Sequence, residues 1–487
     1  MSNWSVVTTI IVIVGWLIPF VMLFIVPVNR KPSSATAWLM LAFLLPYIGV
    51  LIFLLLGSPR LSRRRRAEQH TMNDFISKTV MEASSRPELS DLVDPTIPAR
   101  YDPFVKLNTN LGYLPALAGN DVELLPVYQR IFERIAADID AAQKFVHMEY
   151  YTVSRDDETE GVFAAMERAV NRGVKVRILM DHLGSREYPH FKELWRRLTD
   201  AGIEHHVMLP LRLPGATYTR PDLRNHRKIV VIDGQTGYTG SQNLIQRNYF
   251  RKDDIYYDEL VARVRGPVVA ELEAAFLTDW YSETGVLLDR QSAPETAIEL
   301  MACGDMLCQV LPSGSAFQNE NNLKLFTSLI HAARHTLVIT NPYFVPDDAL
   351  TTAITSAAQR GVRVTLMNSE ASDQFFVSHA ERSYYEELLN AGVKIYQYRA
   401  PILLHAKHIT VDNDIAVIGS SNLDMRSFQL NLEVTLICYD TRVVAALRQV
   451  EANNLLKARS VNPAEWEARA LREKFFENIA RLAAALQ

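Results

Sequence analysis

The sequence predicts an α/β protein made of two related halves, preceded by a helical hairpin that crosses a membrane twice. Three observations lead there. Apolar β-branched runs alternate with helical stretches, one set of short segments occurs twice in the same order, and two long stretches near the start carry no charge. The composition agrees: of 487 residues, 48% are hydrophobic and 22% charged, which suits a folded chain rather than a disordered one. The 51 basic and 55 acidic side chains leave a net charge of −4, which argues against a protein built mainly to grip nucleic acid. Cys303, Cys308 and Cys438 are too few for a disulfide framework and form no CxxC pair, so they read as reduced thiols.

The charge-free stretches are 4–28 and 35–57. Each exceeds the roughly 20 residues that a helix needs to cross a bilayer core. Only Asn29-Arg30-Lys31-Pro32-Ser33-Ser34 separates them, so a transmembrane hairpin is expected over 1–58. A signal peptide fits less well, because the start carries no basic side chain and a second apolar run follows at once. Arg60 and Arg63-Arg64-Arg65-Arg66 follow the second stretch, five positive charges against two in the loop. The positive-inside rule then places everything C-terminal in the cytoplasm, with the small loop outside. Residues 1–67 hold seven basic and no acidic side chains, so the remainder carries −11: an acidic body beside a basic collar. Residues 59–105, with Pro87, Pro95, Pro98 and Pro103, read as a basic juxtamembrane linker with some helix.

The repeat runs through the rest. Val146-His147-Met148-Glu149-Tyr150-Tyr151 corresponds to Val338-Ile339-Thr340-Asn341-Pro342-Tyr343. Asn171-Arg172-Gly173-Val174-Lys175-Val176 corresponds to Gln359-Arg360-Gly361-Val362-Arg363-Val364, and Ala201-Gly202-Ile203 to Ala391-Gly392-Val393. Helices over 127–140 and 320–333 feed β-branched strands, which gives sheets covered by helices. The halves are expected at 106–300 and 301–487, the second ending in an amphipathic helix with Leu471, Phe475, Ile479, Leu482 and Leu486 on one stripe. That stripe packs on the second half or lies at a membrane interface.

The chemistry sits late in each half. His226-Arg227-Lys228, Asp233 and Gly240-Ser241-Gln242-Asn243 match His405-Ala406-Lys407, Asp412 and Gly419-Ser420-Ser421-Asn422 at identical offsets, a repeated HxKx4Dx6GSxN. On an extended run the histidine and lysine of each copy leave the same face. Asp233-Gly234 is a hairpin-turn signal that brings a second strand back alongside. Gly240 and Gly419 allow close approach of a ligand to the backbone. Ser241, Asn243, Ser420 and Asn422 add hydroxyls and amides for a phosphate. Asp233 and Asp412, although members of the catalytic motif, stand at strand-to-turn junctions and read as structural. His205-His206 falls in an expected loop, and neither it nor the His405/His408 pair makes a metal site; no cofactor is expected. The segment 209–218 and its shorter counterpart at 401–404 could admit acyl chains or cap the core.

With these residues in place, the sequence resembles the phospholipase D superfamily with its paired HKD motifs, and within it the bacterial cardiolipin synthases. Further blocks carry the likeness: Ala37-Trp38-Leu39, Phe276-Leu277-Thr278-Asp279-Trp280-Tyr281, Leu311-Pro312-Ser313-Gly314, Asn341-Pro342-Tyr343-Phe344-Val345-Pro346-Asp347 and Asn422-Leu423-Asp424-Met425-Arg426-Ser427-Phe428. The resemblance implies two phospholipase D-like half-domains sharing one active site in a membrane enzyme of the bacterial inner membrane. It implies transfer of a phosphatidyl group between two phosphatidylglycerol molecules, by way of one histidine as nucleophile and the other as general acid, without a metal. It also implies that a carboxylate following each motif orients the imidazole: Glu433 in the second half and Glu259, rather than Asp258, in the first. Hydrolysis by a membrane-bound phospholipase D and a non-catalytic, membrane-anchored lipid-binding scaffold stand as alternatives.

Overall fold

The computed structural model describes residues 3–484 apart from 29, 59, 212–218, 253 and 290. Fifteen strands form one sheet. In the first half they are β1 (Leu117–Leu125), β2 (Phe145–Tyr150), β3 (Lys175–Asp181), β4 (Glu204–Met208), β5 (Ile229–Ile232), β6 (Thr236–Gly240) and β7 (Val261–Arg265). In the second they are β8 (Met306–Ser313), β9 (Thr336–Thr340), β10 (Arg363–Ser369), β11 (Lys394–Tyr398), β12 (His408–Val411), β13 (Ile415–Gly419), β14 (Glu433–Cys438) and β15 (Ala458–Ser460). Their order is β15-β11-β10-β9-β12-β13-β14-β8-β1-β7-β6-β5-β2-β3-β4. Apart from β15, the sequence of strands on one side of the β8/β1 seam mirrors that on the other.

The repeat explains the mirror. In each half a helix–strand alternation builds three parallel strands, β2-β3-β4 and β9-β10-β11. The motif strand then runs antiparallel to the first of them, β5 on β2 and β12 on β9. Helices Tyr128–Ala141 and Glu160–Asn171 in one half, and Asn321–Ala332 and Asp348–Gln359 in the other, bury their apolar faces on the sheet. Cys308 and Cys438 face each other across β8 and β14 as free thiols, the Cys308 thiol donating to Cys438 Sγ at 3.8 Å. The expected loop at His205-His206 is instead part of β4, where His205 packs edge-on against Trp195 and His206 against Trp280.

The N-terminal region departs from the expected hairpin. Helix α1 (Asn3–Ile25) is, among the described residues, the one helix long and apolar enough to cross a membrane. The second apolar stretch is not one helix but two, α2 (Pro32–Leu44) and α3 (Pro46–Leu56). The break falls at Pro46, which lacks an N–H and disfavours the helical region for the residue before it; Leu45 takes φ −134°, ψ 69°, whereas Pro19 is carried inside α1. The stretch expected to be a linker also differs. Its 22-residue helix α4 (Arg63–Ser84) packs on α5 (Val269–Thr284), with Arg65 paired to Glu283 at 2.8 Å. The C-terminal helix α6 (Leu471–Ala484) packs against the helix Phe375–Arg382 through its other face, and Leu471, Phe475, Ile479 and Leu482 stay exposed; Leu486 lies outside the described residues.

Candidate active site

The two motifs meet at one cavity of about 250 Å³, whose lining includes His226, His405, Asn243, Asn422, Arg224 and Arg426 together with five tyrosines. The path to that meeting is a short exchange between halves. Residues just before each histidine pair in parallel with residues just before the other half's glutamate. Asn225 bridges to Leu432, and Ile402–Leu404 runs beside Tyr256–Asp258. The backbone N–H of His226 donates to Leu432 O at 2.8 Å, and that of His405 to Asp258 O at 2.7 Å.

Each imidazole therefore receives its carboxylate from the opposite half. His226 Nδ1 lies 3.1 Å from both oxygens of Glu433, and His405 Nδ1 lies 2.8 Å from Glu259 Oε1. Glu259 and Glu433 are thus the carboxylates on the two rings, but not each on the histidine of its own motif. Asp258 instead takes Tyr398 and Arg247. Lys228 and Lys407 are both buried, and each ammonium donates to the carbonyl of the histidine two residues earlier at 2.7 Å.

Burial governs the electrostatics. It lowers the His226 imidazole to about 4, outweighing the opposing pull of Glu433, and it lowers His405 as well, against Glu259. Lys228 falls to about 7 and Lys407 to about 8, again through burial first, with the other lysine adding to the shift at Lys228. For Glu433 and Glu259 burial works upward, but the facing histidine and the nearby lysine outweigh it and hold both carboxyls below their ordinary value.

Four predicted contacts land elsewhere. Ser420 Oγ donates to Glu433 and accepts from Val434 N at 3.0 Å; Ser241 stands beside Glu259 and accepts from Leu260 N at 3.0 Å. The serines therefore brace the glutamates, and neither lines the cavity. Gly240 and Gly419 approach backbone rather than ligand: a Cβ would fall 2.3 Å from Leu260 O and 2.5 Å from Val434 O. Those contacts are what bring each serine to its glutamate. Asp233 and Asp412 lie at the far end of their strands, about 16 Å from the lysines at 3.3 Å per residue. Asp233 accepts from the N–H groups of Gln143, Lys144 and Phe145, and Asp412 from Arg334, His335 and Thr336. Both hold positive φ, 54° and 50°, which aspartate tolerates in tight turns. They tie the motif hairpin to the preceding strand and have no place at the cavity.

Asn243 and Asn422 do line the cavity. The Asn243 side chain already spans Thr152 N and Tyr249 Oη, whereas Asn422 Oδ1 is buried without a partner. Sequence reasoning missed the tyrosines. Tyr257 and Tyr343 flank His405 edge-on and both donate to Asp373, at 3.0 and 2.6 Å, while Tyr151 flanks His226. Their only signal was Tyr151 and Tyr343 at matched positions of the repeat. Arg227 was also passed over: it is fully buried, pairs with Asp279 and donates to Glu433 O. Of the loops before the motifs, 212–218 lies outside the described residues; at 402–404 the chain is a short strand with Leu403 and Leu404 in the core. Among the described residues, no cluster of three or more His, Cys, Asp or Glu has metal-binding geometry.

A family model described as "Cardiolipin synthase, PLD-like domain" matches residues 135–280 and 326–453, and so covers both motifs. The chain belongs to this family. Cardiolipin synthase A of Pectobacterium carotovorum is 31% identical over 484 residues, 97% of this chain and 98% of that protein. Cardiolipin synthase A of Yersinia pseudotuberculosis is 32% identical over 486 residues, with the same coverage. Among solved structures, phosphatidylserine synthase of Haemophilus influenzae covers 79% of this chain and 98% of its own, with TM-score 0.59 and 16% identity, a likeness of fold. The matched segments of the cardiolipin synthase model begin and end inside the body, leaving the N-terminal helices to the full-length relatives.

Proposed function

We propose that this enzyme is a phosphatidyltransferase that joins two phosphatidylglycerol molecules into cardiolipin and releases glycerol. The observation that carries the reading is the pair of imidazoles that line one cavity, each backed by a buried glutamate and followed by a buried lysine that donates to the histidine's own carbonyl.

Glutamate on Nδ1 leaves Nε2 of each ring for the phosphate, as the third member of a triad does. Neutral His226 attacks phosphorus; a P–N bond forms and the P–O bond to the departing glycerol breaks. His405 gives that oxygen its proton. A hydroxyl of the second phosphatidylglycerol then loses its proton to His405 and attacks phosphorus, the P–N bond breaks, and cardiolipin leaves with His226 restored. Burial disfavours the protonated form of both rings in the free enzyme. A bound diester anion supplies the negative charge that lets His405 hold a proton. Lys228, Lys407 and Asn422 hold the non-bridging oxygens, with Asn243 beside them.

The apolar N-terminal region anchors the body, 106–300 and 301–487, to the bacterial cytoplasmic membrane. The excess of arginine after α3 favours the cytoplasmic face. The test is to incubate membranes containing the enzyme with phosphatidylglycerol and resolve the lipids. Cardiolipin with glycerol is expected; phosphatidic acid without cardiolipin would replace transfer by hydrolysis.

A further inference from the structure

Both ends of the α2–α3 unit are held by the body. At its start, Lys31 pairs with Glu320 at 3.0 Å and with Asp347 at 3.7 Å. At its end, Arg220 Nη1 donates to Ser58 O at 2.8 Å. Arg30 lies close enough to Arg220 to feel its charge, and its guanidinium covers the Phe53 ring at 4.8 Å. The chain thus leaves the body and returns to it within 27 residues. Between those points it folds back sharply: a Cβ on Gly49 would fall 2.8 Å from Leu41 O and 2.9 Å from Ala42 Cα. In one continuous helix Gly49 and Leu41 would stand about 12 Å apart.

Helix lengths agree with a unit that does not cross. At 1.5 Å per residue α1 is about 34 Å long, enough for a hydrocarbon core of about 30 Å, whereas α2 and α3 reach only about 20 and 17 Å. The turn between them rests at mid-height on α1, where the Tyr47 hydroxyl meets Ile11 O and borders Gly15. The unit packs on the body-side half of α1, with Met22, Val26, Ala35 and Ala42 enclosed and Ile18, Trp38 and Phe53 around them.

We infer that α2 and α3 form a re-entrant wedge, dipping into the leaflet nearest the body and emerging on the same side, so that α1 alone crosses. The inference rests on the membrane anchoring proposed above. It gathers all seven basic residues of 1–67 on one face, where a two-span hairpin would strand Arg30 and Lys31 across the bilayer from the five arginines. It also seats the cavity next to that leaflet. Arg220, which holds Ser58, lies four residues before the cavity residue Arg224. Glu320, which holds Lys31, accepts from Gln429, three residues beyond the cavity residue Arg426.

The test is sidedness. Ser33→Cys and Arg60→Cys, both at exposed positions, are each made in a Cys303→Ala chain and treated with an impermeant maleimide before and after permeabilisation. Positions 33 and 60 should become reactive together, under the conditions that expose Cys303 in the natural chain. Reactivity of position 33 while position 60 and Cys303 stay protected would place the loop across the bilayer and overturn the wedge. Gly49→Leu gives a second reading: the added side chain collides in a wedge, and a several-fold loss of membrane-bound folded enzyme is expected. A straight span would accept leucine, so an unchanged yield also overturns it. Labelling of Cys303 from outside intact cells would overturn the cytoplasmic orientation, not the wedge, which is judged on whether 33 and 60 agree.

Discussion

The ring nitrogen Nδ1 of His226 lies 3.1 Å from the carboxylate of Glu433, a residue 207 positions away in the other half of the chain. His405 and Glu259 repeat the exchange at 2.8 Å. Function should therefore sort by contact and not by sequence half. With a phosphatidyl donor bearing a nitrophenol leaving group, which needs no proton, His405→Ala and Glu259→Gln should keep most of the first-turnover burst of nitrophenol, which precedes deprotonation of the acceptor. His226→Ala and Glu433→Gln should not. With phosphatidylglycerol all four should lose about 10²–10⁴-fold in kcat. A burst that groups Glu259 with His226 would sink the crossed assignment.

The pH profile follows from the lysines. Each stabilises the diester anion only while protonated, below its own pKa. That condition is lost as pH rises through about 7 for Lys228 and about 8 for Lys407. The imidazole of His226 attacks only when neutral, which holds above about 4. Because kcat/KM reports the free enzyme, in which His405 must take up a proton that burial disfavours, it should already decline on the acid side of neutrality and fall more steeply through 7–8. Arginine does not titrate there, so Lys228→Arg should move the alkaline fall upward even at reduced activity; a fall that stays put would assign it to another group.

Asp233 and Asp412 predict stability loss without catalytic loss. Each accepts three backbone N–H groups at a positive-φ turn. Asp233→Ala leaves those donors short and should cost about 1–3 kcal/mol, read as a lower Tm of the detergent-solubilised enzyme. Activity per folded molecule should stay within a factor of a few. A loss of 10²-fold in kcat at unchanged Tm would return the aspartate to the chemistry.

Arg227 predicts the opposite balance from its neighbour His226. Its guanidinium is enclosed with Asp279 and Glu149; burial and the adjoining Asp279 hold Glu149 well above the ordinary carboxyl range. Arg227→Ala strands those acids and should destabilise by about 3–5 kcal/mol. Adding Asp279→Asn to Arg227→Ala should recover part of that loss in thermal unfolding. The second motif carries Ala406 at the same place, so Ala406→Gly should be mild.

Periodicity and repetition made the halves legible: matched segments such as Val146–Tyr151 and Val338–Tyr343 imply matched strands, and a strand's neighbours follow from its repeat. Spacing also brought out the motif, because His226 and Lys228 recur as His405 and Lys407. What spacing could not carry was pairing between halves, since the Asn225–Leu432 bridge and the Leu404–Asp258 register join segments more than 140 residues apart. Hence the serines, read as phosphate ligands, are the braces of Glu259 and Glu433. The second apolar stretch differs from the expected single helix at a local feature that hydropathy ignores: the helix breaks at Pro46, although Pro19 is carried within α1.

The seam between the halves is two strands of one sheet, β1 and β8, paired to each other on either side of an irregularity between Leu117 and Asn120, with β1 hydrogen-bonded to β7 and β8 to β14. Beside the cavity the halves are joined again, by the Asn225–Leu432 and Leu404–Asp258 pairings, which hold its walls together. Traffic must take turns: glycerol has to vacate the space its successor's hydroxyl will fill. Initial rates with separable donor and acceptor lipids would then plot as parallel lines, the kinetic signature of a catalyst that serves one customer at a time.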